Sequence, residues 1–298
     1  MDDRPHYVRA IDRLTRADCA PLIELALIED LPDGDSTSDP LFTDPAVRRA
    51  RVLAREDGVV AGLTVLGFLL DIYTERYAPL SQLRLDPLLP EGAPFAAGAH
   101  LLYLSGAVRD LLRLERTLLN FLQYLSGIAS TVRRTLSLLP DQVALLDTRK
   151  TLPGYRKLAK YAVYQGGGTN HRLNLSEMAM LKDNHIAAAG SIAAAAALVR
   201  AGRQDIKLEI EIDRLEQLPE ALACNPQVLL LDNMDVPQVE EALKRTAGSG
   251  VFIELSGNWK PERCAELAGL HLERPIGVSM GFITHTTRFL DLSLEIEE

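Results

Sequence analysis

The sequence predicts an α/β protein: an N-terminal α+β portion followed by a parallel barrel of strand and crossover-helix repeats, with an open doubly wound sheet as the alternative. Two observations carry this. Six short apolar runs, ALLDTR, MAMLKDN, KLEIEID, VLLLDNM, VFIELSGN and PIGVSMG, fill the second half of the chain. They are spaced by roughly 20 to 35 residues, the length of a helix plus its loops. Nearly every run also ends in a chemically loaded group, and the active sites of parallel barrels gather at the C-terminal ends of their strands, which favours the barrel.

Taken in order, Leu14 to Glu29 carries apolar residues at helical spacing, and the breaker cluster DLPDGDSTSDP at Asp30 to Pro40 ends that helix. Val59 to Leu66 is β-prone, Gly67 to Tyr77 is helical, and EGAPFAAG at 91 to 98 is a turn, so the first hundred residues read as α+β. Arg113 to Ser126 places Leu114, Leu118, Phe121, Leu122 and Leu125 on one helical face, and Gly127 stands where that helix is expected to stop. This helix is expected to bridge two domains, residues 1–127 and 128–285, with residues 286–298 a candidate return to the first.

Composition narrows the function. The formal net charge is -9, which argues against DNA or an acidic membrane surface as the main partner, because counterion release needs a basic footprint. The N-terminus MDDRPHYVR has no apolar core of a signal peptide. The longest apolar runs, Val59 to Leu70 and Ala187 to Val199, are shorter than a spanning helix. Cys19, Cys224 and Cys264 are odd in number and widely spaced, which suggests a reduced, cytoplasmic setting and no zinc site. Of the histidines, His171 and His185 have cationic neighbours, His285 lies near the sixth run, and His6, His100 and His271 have no chemical company.

Positive charge is concentrated in the middle of the chain. Arg149, Lys150, Arg172 and Lys182 stand at or just after strand ends, with Arg116 on the preceding helix. Singly, each reads as a solvated surface charge. Gathered at one barrel mouth, like charges repel by about 4 kcal/mol per pair at an intermediate dielectric, so only a polyanionic ligand would justify the arrangement. Glu211 and Asp232 end consecutive strands and suit ribose hydroxyls or a Mg²⁺ shared with substrate phosphates, although helix capping or pairing with nearby arginines explains them as well. Glu209, one alternation earlier, is a rival to Glu211. Ser256, Gly257 and Asn258, then Ser279, Met280 and Gly281, form loops of the kind that hold phosphate on backbone N–H groups.

These residues resemble the quinolinate phosphoribosyltransferase family nearly end to end. The match includes EDLPDGDSTSDP, ERTLLNFLQYLSGIAS, DTRKTLPGYRKLAKYAVYQGGGTNHR and LKDNH, followed by LEIEID, LLLDNM, ELSGN and VSMGFITH in family order. The resemblance implies an N-terminal α+β sandwich, an incomplete α/β barrel, and a homodimer with a shared active site, a higher oligomer being left open. It implies transfer of phosphoribosyl from phosphoribosyl pyrophosphate to quinolinate with decarboxylation. Arg149, His171, Arg172 and Lys182 would hold the quinolinate carboxylates, with Arg116 supplied by the neighbouring subunit. Lys150 and Lys182 would lie near the pyrophosphate, with Thr151 a further substrate-binding residue, Glu211 and Asp232 near the ribose and Mg²⁺, and the SGN and SMG loops around the 5′-phosphate. Lys150, His171, Lys182, Glu211 and Asp232 are the implied catalytic set. The chain departs from the family pattern at Ser176 to Met180 and at Trp259. A Schiff-base lyase using Lys150 or Lys182 and a non-catalytic phosphoribosyl sensor are the rival readings.

Overall fold

A computed structural model describes residues 8–297; His6 and the rest of 1–7 lie outside the described residues, as does Glu298. In chain order the helices are α1 (Arg16–Asp30), α2 (Ser38–Leu41), α3 (Leu63–Tyr77), α4 (Val108–Leu136), α5 (Arg156–Gln165), α6 (Asp183–Ala189), α7 (Ile192–Gly202), α8 (Leu218–Ala223), α9 (Val236–Arg245), α10 (Cys264–Leu267) and α11 (Phe282–His285). The strands are β1 (Val47–Ala54), β2 (Gly58–Val59), β3 (Arg84–Pro87), β4 (Pro94–Phe95), β5 (His100–Ala107), β6 (Val143–Leu146), β7 (Ala179–Leu181), β8 (Leu208–Ile212), β9 (Val228–Asp232), β10 (Phe252–Ser256), β11 (Ile276–Ser279) and β12 (Leu292–Ile296). No single described helix is long and apolar enough to cross a membrane.

The chain forms two compact units. Among the described residues, one gathers 11–133, 151–167 and 284–297; the other gathers 8–10, 134–150 and 168–283. The first unit therefore includes α5, from the middle of the chain, as well as the C-terminal strand. Its antiparallel sheet has the order β12-β1-β5-β3, with Ala50 paired to Ile296 on one side and Leu104 on the other. Alternation buries Ala50, Val52 and Ala54 and leaves Arg49 and Arg51 outward, the pattern of a sheet with one covered face.

Two elements of this unit differ from their sequence reading. Val59 to Leu66 is not a strand: only Gly58–Val59 pair, and the helix begins at Leu63. Gly62 turns the chain at φ +113°, and the Glu91 carboxylate accepts the N–H groups of Gly62 and Thr64, both at 2.9 Å. The helix start is thus capped by a residue far along the chain, which outweighs the β propensity of the valines. Helix α4 does not stop at Gly127 but runs through it to Leu136. A Cβ at 127 would lie 2.2 Å from the Arg288 carbonyl oxygen, so this glycine permits a close backbone approach.

The second unit holds six parallel strands in the order β6-β11-β10-β9-β8-β7, and all six predicted runs are strands of it. Strands β7 to β11 are neighbours in consecutive order and β6 returns beside β11. A doubly wound sheet would reverse direction at a switch point, so this is the barrel arrangement. Thr169 adds a parallel bridge to Leu146 at the β6 edge; no pairing joins that edge to β7 among the described residues, and the barrel is incomplete.

Register separates the two faces. Leu208, Ile210, Ile212, Leu229, Leu231, Ile253, Leu255, Ile276 and Val278 are buried on one face and form its apolar layer. The alternate positions carry Glu209 and Glu211, Leu230 and Asp232, Glu254 and Ser256, Gly277 and Ser279. Glu211 pairs with Leu230, Leu230 with Glu254, and Glu254 with Gly277, so these residues line one level of the inner face. An inner face with this many polar groups costs folding free energy unless each is partnered, and that concentrates attention on it.

Candidate active site

Around the C-terminal strand ends lies a cavity of about 220 Å³, lined by Thr148, Arg149, Lys150, His171, Arg172, Met180, Lys182, Leu230, Glu254, Ser256 and Ser279. The four predicted barrel cations are all in this wall. Larger depressions of about 580 and 610 Å³ lie elsewhere, around Arg203–Lys207 before β8 and around Lys244 and Arg274. Neither gathers strand-end groups, so size does not decide the site.

Asp147 ties the two central motifs together. Fully buried at the end of β6, it accepts the His171 N–H through Oδ1 and the Asn170 side-chain amide through Oδ2, both at 2.8 Å. The DTRK segment and the NHR segment are thereby fixed side by side. Arg172 is buried and donates from Nη1 to the Met178 carbonyl at 2.8 Å and from Nη2 to the Met180 sulfur at 3.5 Å. The unusual segment Ser176 to Met180 thus holds this arginine mainly by a backbone oxygen, a contact independent of side-chain identity. Burial lowers the Arg172 pKa, Glu209 raises it, and the like charge of Arg149 lowers it again. That repulsion is the expected cost of gathering cations for an anion.

On the opposite wall, Lys182 Nζ meets Glu211 Oε2 at 2.7 Å. The Asp232 carboxylate accepts the Asn233 side-chain amide at 2.8 Å, and Asp232 and Ser256 are register partners. Asn233 stands at φ +56° and Gly257 at φ +75°, and a Cβ on Gly257 would lie 2.3 Å from Asn233 Oδ1. The SGN loop is therefore seated on the asparagine that orients Asp232. Trp259 is buried beyond this loop, with the Arg263 guanidinium 4.3 Å from its ring centroid and Arg263 itself held by Glu266. His185 Nδ1 accepts the Lys182 N–H at 3.0 Å, which caps α6.

Beneath the cations sits a group that sequence reasoning only grazed. His171 Nε2 lies 3.2 Å from Glu209 Oε2 and 3.4 Å from Glu254 Oε2, and all three residues are buried. His171 Nδ1 accepts the Arg172 backbone N–H at 2.7 Å, so the ring proton belongs on Nε2. A nitrogen that carries a proton cannot ligate a metal, and the triad is a hydrogen-bonded cluster although its spacing resembles a metal site. Burial disfavours a charged ring, whereas Glu254 and then Glu209 favour one. The two carboxylates win and raise the His171 pKa to about 10, so the cluster as a whole attracts a proton; with Nδ1 accepting the Arg172 N–H, that proton is shared along the contacts between Nε2 and the carboxylates. In keeping with this, burial and the charge of Glu254 push the Glu209 carboxyl up.

The N-terminal domain model of quinolinate phosphoribosyl transferase matches residues 35–126, and the C-terminal domain model matches residues 128–295. The chain belongs to the quinolinate phosphoribosyltransferase family. It is 39% identical over 280 residues to a carboxylating nicotinate-nucleotide pyrophosphorylase of Mycobacterium leprae, covering 92% of this chain and 95% of that one. A probable enzyme of the same name from Bacillus subtilis is 35% identical, covering 92% of each. Among solved structures, NadC from Streptococcus pyogenes superposes with a TM-score of 0.88 at 36% identity, over 96% of this chain and 99% of that one. The Francisella tularensis nicotinate-nucleotide pyrophosphorylase gives 0.87 at 29% identity, over 97% and 100%.

Within this member of the quinolinate phosphoribosyltransferase family, Arg149, Lys150, His171, Arg172, Lys182, Ser256 and Ser279 share the cavity wall. Glu211 reaches it through Lys182. Asp232, Gly257 and Asn258 belong to the adjoining strand end and loop, and Met280 is buried behind Ser279 beside Gly281. Arg116 is exposed on α4 and Thr151 begins the segment that joins the other unit. Thr148, Met180, Leu230 and Glu254 line the cavity without having been singled out. Of these, Glu254 had a signal: an acid two residues before a strand-end serine shares its face.

Proposed function

We propose that this quinolinate phosphoribosyltransferase joins quinolinate to phosphoribosyl pyrophosphate, releasing pyrophosphate and carbon dioxide and leaving nicotinate mononucleotide for NAD. The supporting observation is the convergence of Arg149, Lys150, Arg172 and Lys182 on one small cavity. Both substrates are polyanions, and Arg149 and Arg172 offer forks suited to the two carboxylates of quinolinate. Lys150 and Lys182 serve as point charges for the pyrophosphate, and the SGN and SMG loops offer backbone N–H groups to the 5′-phosphate.

Glu211 and Asp232 present hard oxygen donors at adjacent strand ends, a set that fits Mg²⁺ shared with substrate phosphates. When bound, that ion would neutralise charge on the leaving pyrophosphate. As the bond to pyrophosphate lengthens, Glu211 and Asp232 stabilise positive charge on the ribose carbon, onto which the pyridine nitrogen closes. Positioning and electrostatics then supply most of the acceleration. The active enzyme is a cytoplasmic homodimer in which Arg116 serves a second copy's site; its exposed position on α4 and the three free cysteines accord with this.

The test is pyrophosphate release from phosphoribosyl pyrophosphate with quinolinate, nicotinate or nicotinamide offered separately. Strict dependence on quinolinate is expected. Equal release with nicotinate would sink the assignment of substrate.

A further inference from the structure

The cavity wall holds one acid. Among its lining residues Glu254 is the single carboxyl, set among Arg149, Lys150, His171, Arg172 and Lys182. A carboxylate there opposes the purpose of the wall, because it repels the dianion that the cations attract. Its side chain is 1% exposed, so water does little to screen that repulsion. The conflict is resolved if Glu254 is neutral whenever quinolinate is bound. We propose that Glu254 takes up a proton as quinolinate binds and delivers it to the ring carbon exposed by decarboxylation. The inference rests on the reaction proposed above.

The geometry supports both halves of the cycle. His171 Nε2, carrying its proton, faces Glu209 and Glu254 at 3.2 and 3.4 Å, and its Nδ1 is occupied by the Arg172 N–H at 2.7 Å. The ring therefore stabilises a shared negative charge between the two acids but has no vacant nitrogen of its own for a further proton. Glu209 and Glu254 are both fully buried, but of the two only Glu254 is among the residues that line the cavity. Glu254 also pairs with Gly277 in register, and on its other side with Leu230, so no bulky polar neighbour separates it from the cavity on its own level.

The chemistry balances. The bond between ring carbon 2 and its carboxylate breaks, carbon dioxide leaves, and the electron pair stays on carbon 2 beside the new pyridinium nitrogen. That pair takes the Glu254 proton, leaving a carboxylate. The product has lost one negative carboxylate, and solvent restores the proton when the next quinolinate binds. General acids in such positions contribute on the order of a hundredfold or more.

The test uses the full-length wild-type protein and Glu254→Gln, an isostere of the neutral acid. For the variant, kcat is expected to fall about a hundredfold while KM for quinolinate is not raised, since the amide does not repel the dianion. Wild-type kcat is expected to decline at alkaline pH, where Glu254 would no longer hold its proton, and the variant should show no such decline. A variant with wild-type kcat, or one that keeps the alkaline decline, would overturn the proposal. Should the variant not fold, calorimetry of quinolinate binding to the wild type in buffers of different ionisation enthalpy suffices. Uptake of about one proton per site is expected on binding, and no uptake at any pH at which the protein stays folded refutes the idea. If the wild type itself releases no pyrophosphate with quinolinate, the proposed reaction fails instead, and the two failures are distinct.

Discussion

At the scale of the residue, the cation cluster carries a folding cost that the proposed anionic substrates would offset. Arg172 is buried, anchored on the Met178 carbonyl, and held near the like charge of Arg149. Replacing it should relieve repulsion and remove a charge-assisted contact to substrate. Arg172→Ala is expected to lower kcat/KM for quinolinate by one to two decades, the equivalent of about 1.5 to 3 kcal/mol. Unchanged kinetics would remove Arg172 from the site. These cations were legible from their positions at strand ends. Glu254 was less so, since a buried glutamate in a strand reads equally well as a structural ion-pair partner until the cavity wall is seen.

At the scale of the element, one contact overrides local propensity and another ties two helices together. Alanine ordinarily favours a helix interior over glycine by about 1 kcal/mol. Gly127→Ala is nevertheless expected to lower Tm, because the added methyl would meet the Arg288 carbonyl at 2.2 Å. A raised Tm would show that the backbone there yields. Asp39 of α2 is tied to Arg113 of α4, and this bond, followed by opposing burial, sets its carboxyl below the ordinary 3.8. A depressed folded pKa means stability that is full above about pH 4 and is lost as pH falls through the lowered value. Asp39→Asn should therefore cost stability at neutral pH but little near pH 2, read from Tm against pH; a constant difference would contradict this origin. The Asp39 side chain is 34% exposed, so the effect should be modest. Neither the Arg288 carbonyl at Gly127 nor the Glu91 cap of α3 is periodic, which is why the helix end at Gly127 and the strand at Val59 to Leu66 were read wrongly.

For the whole molecule, the proposed shared site predicts complementation. Arg116→Ala chains mixed with Lys182→Ala chains should regain part of the activity that each lacks alone, because one site in a mixed dimer then has both side chains intact. Absence of any recovery after verified subunit exchange would argue that each chain's site is self-contained.

The amino-acid sequence alone determined the alternation of strand and helix, the parallel barrel, the family, and the cationic motifs. Periodicity and strand-end chemistry are local properties that survive without coordinates. Only the tertiary structure decided that Glu91 caps α3, that Arg288 crosses Gly127, that Asp147 binds the DTRK and NHR segments together, and that Glu209 and Glu254 close on one face of His171. Each of these depends on a distance of a few ångströms between residues far apart in the chain. A sequence pattern specifies which face a side chain takes, whereas the packing of whole elements sets what it meets there.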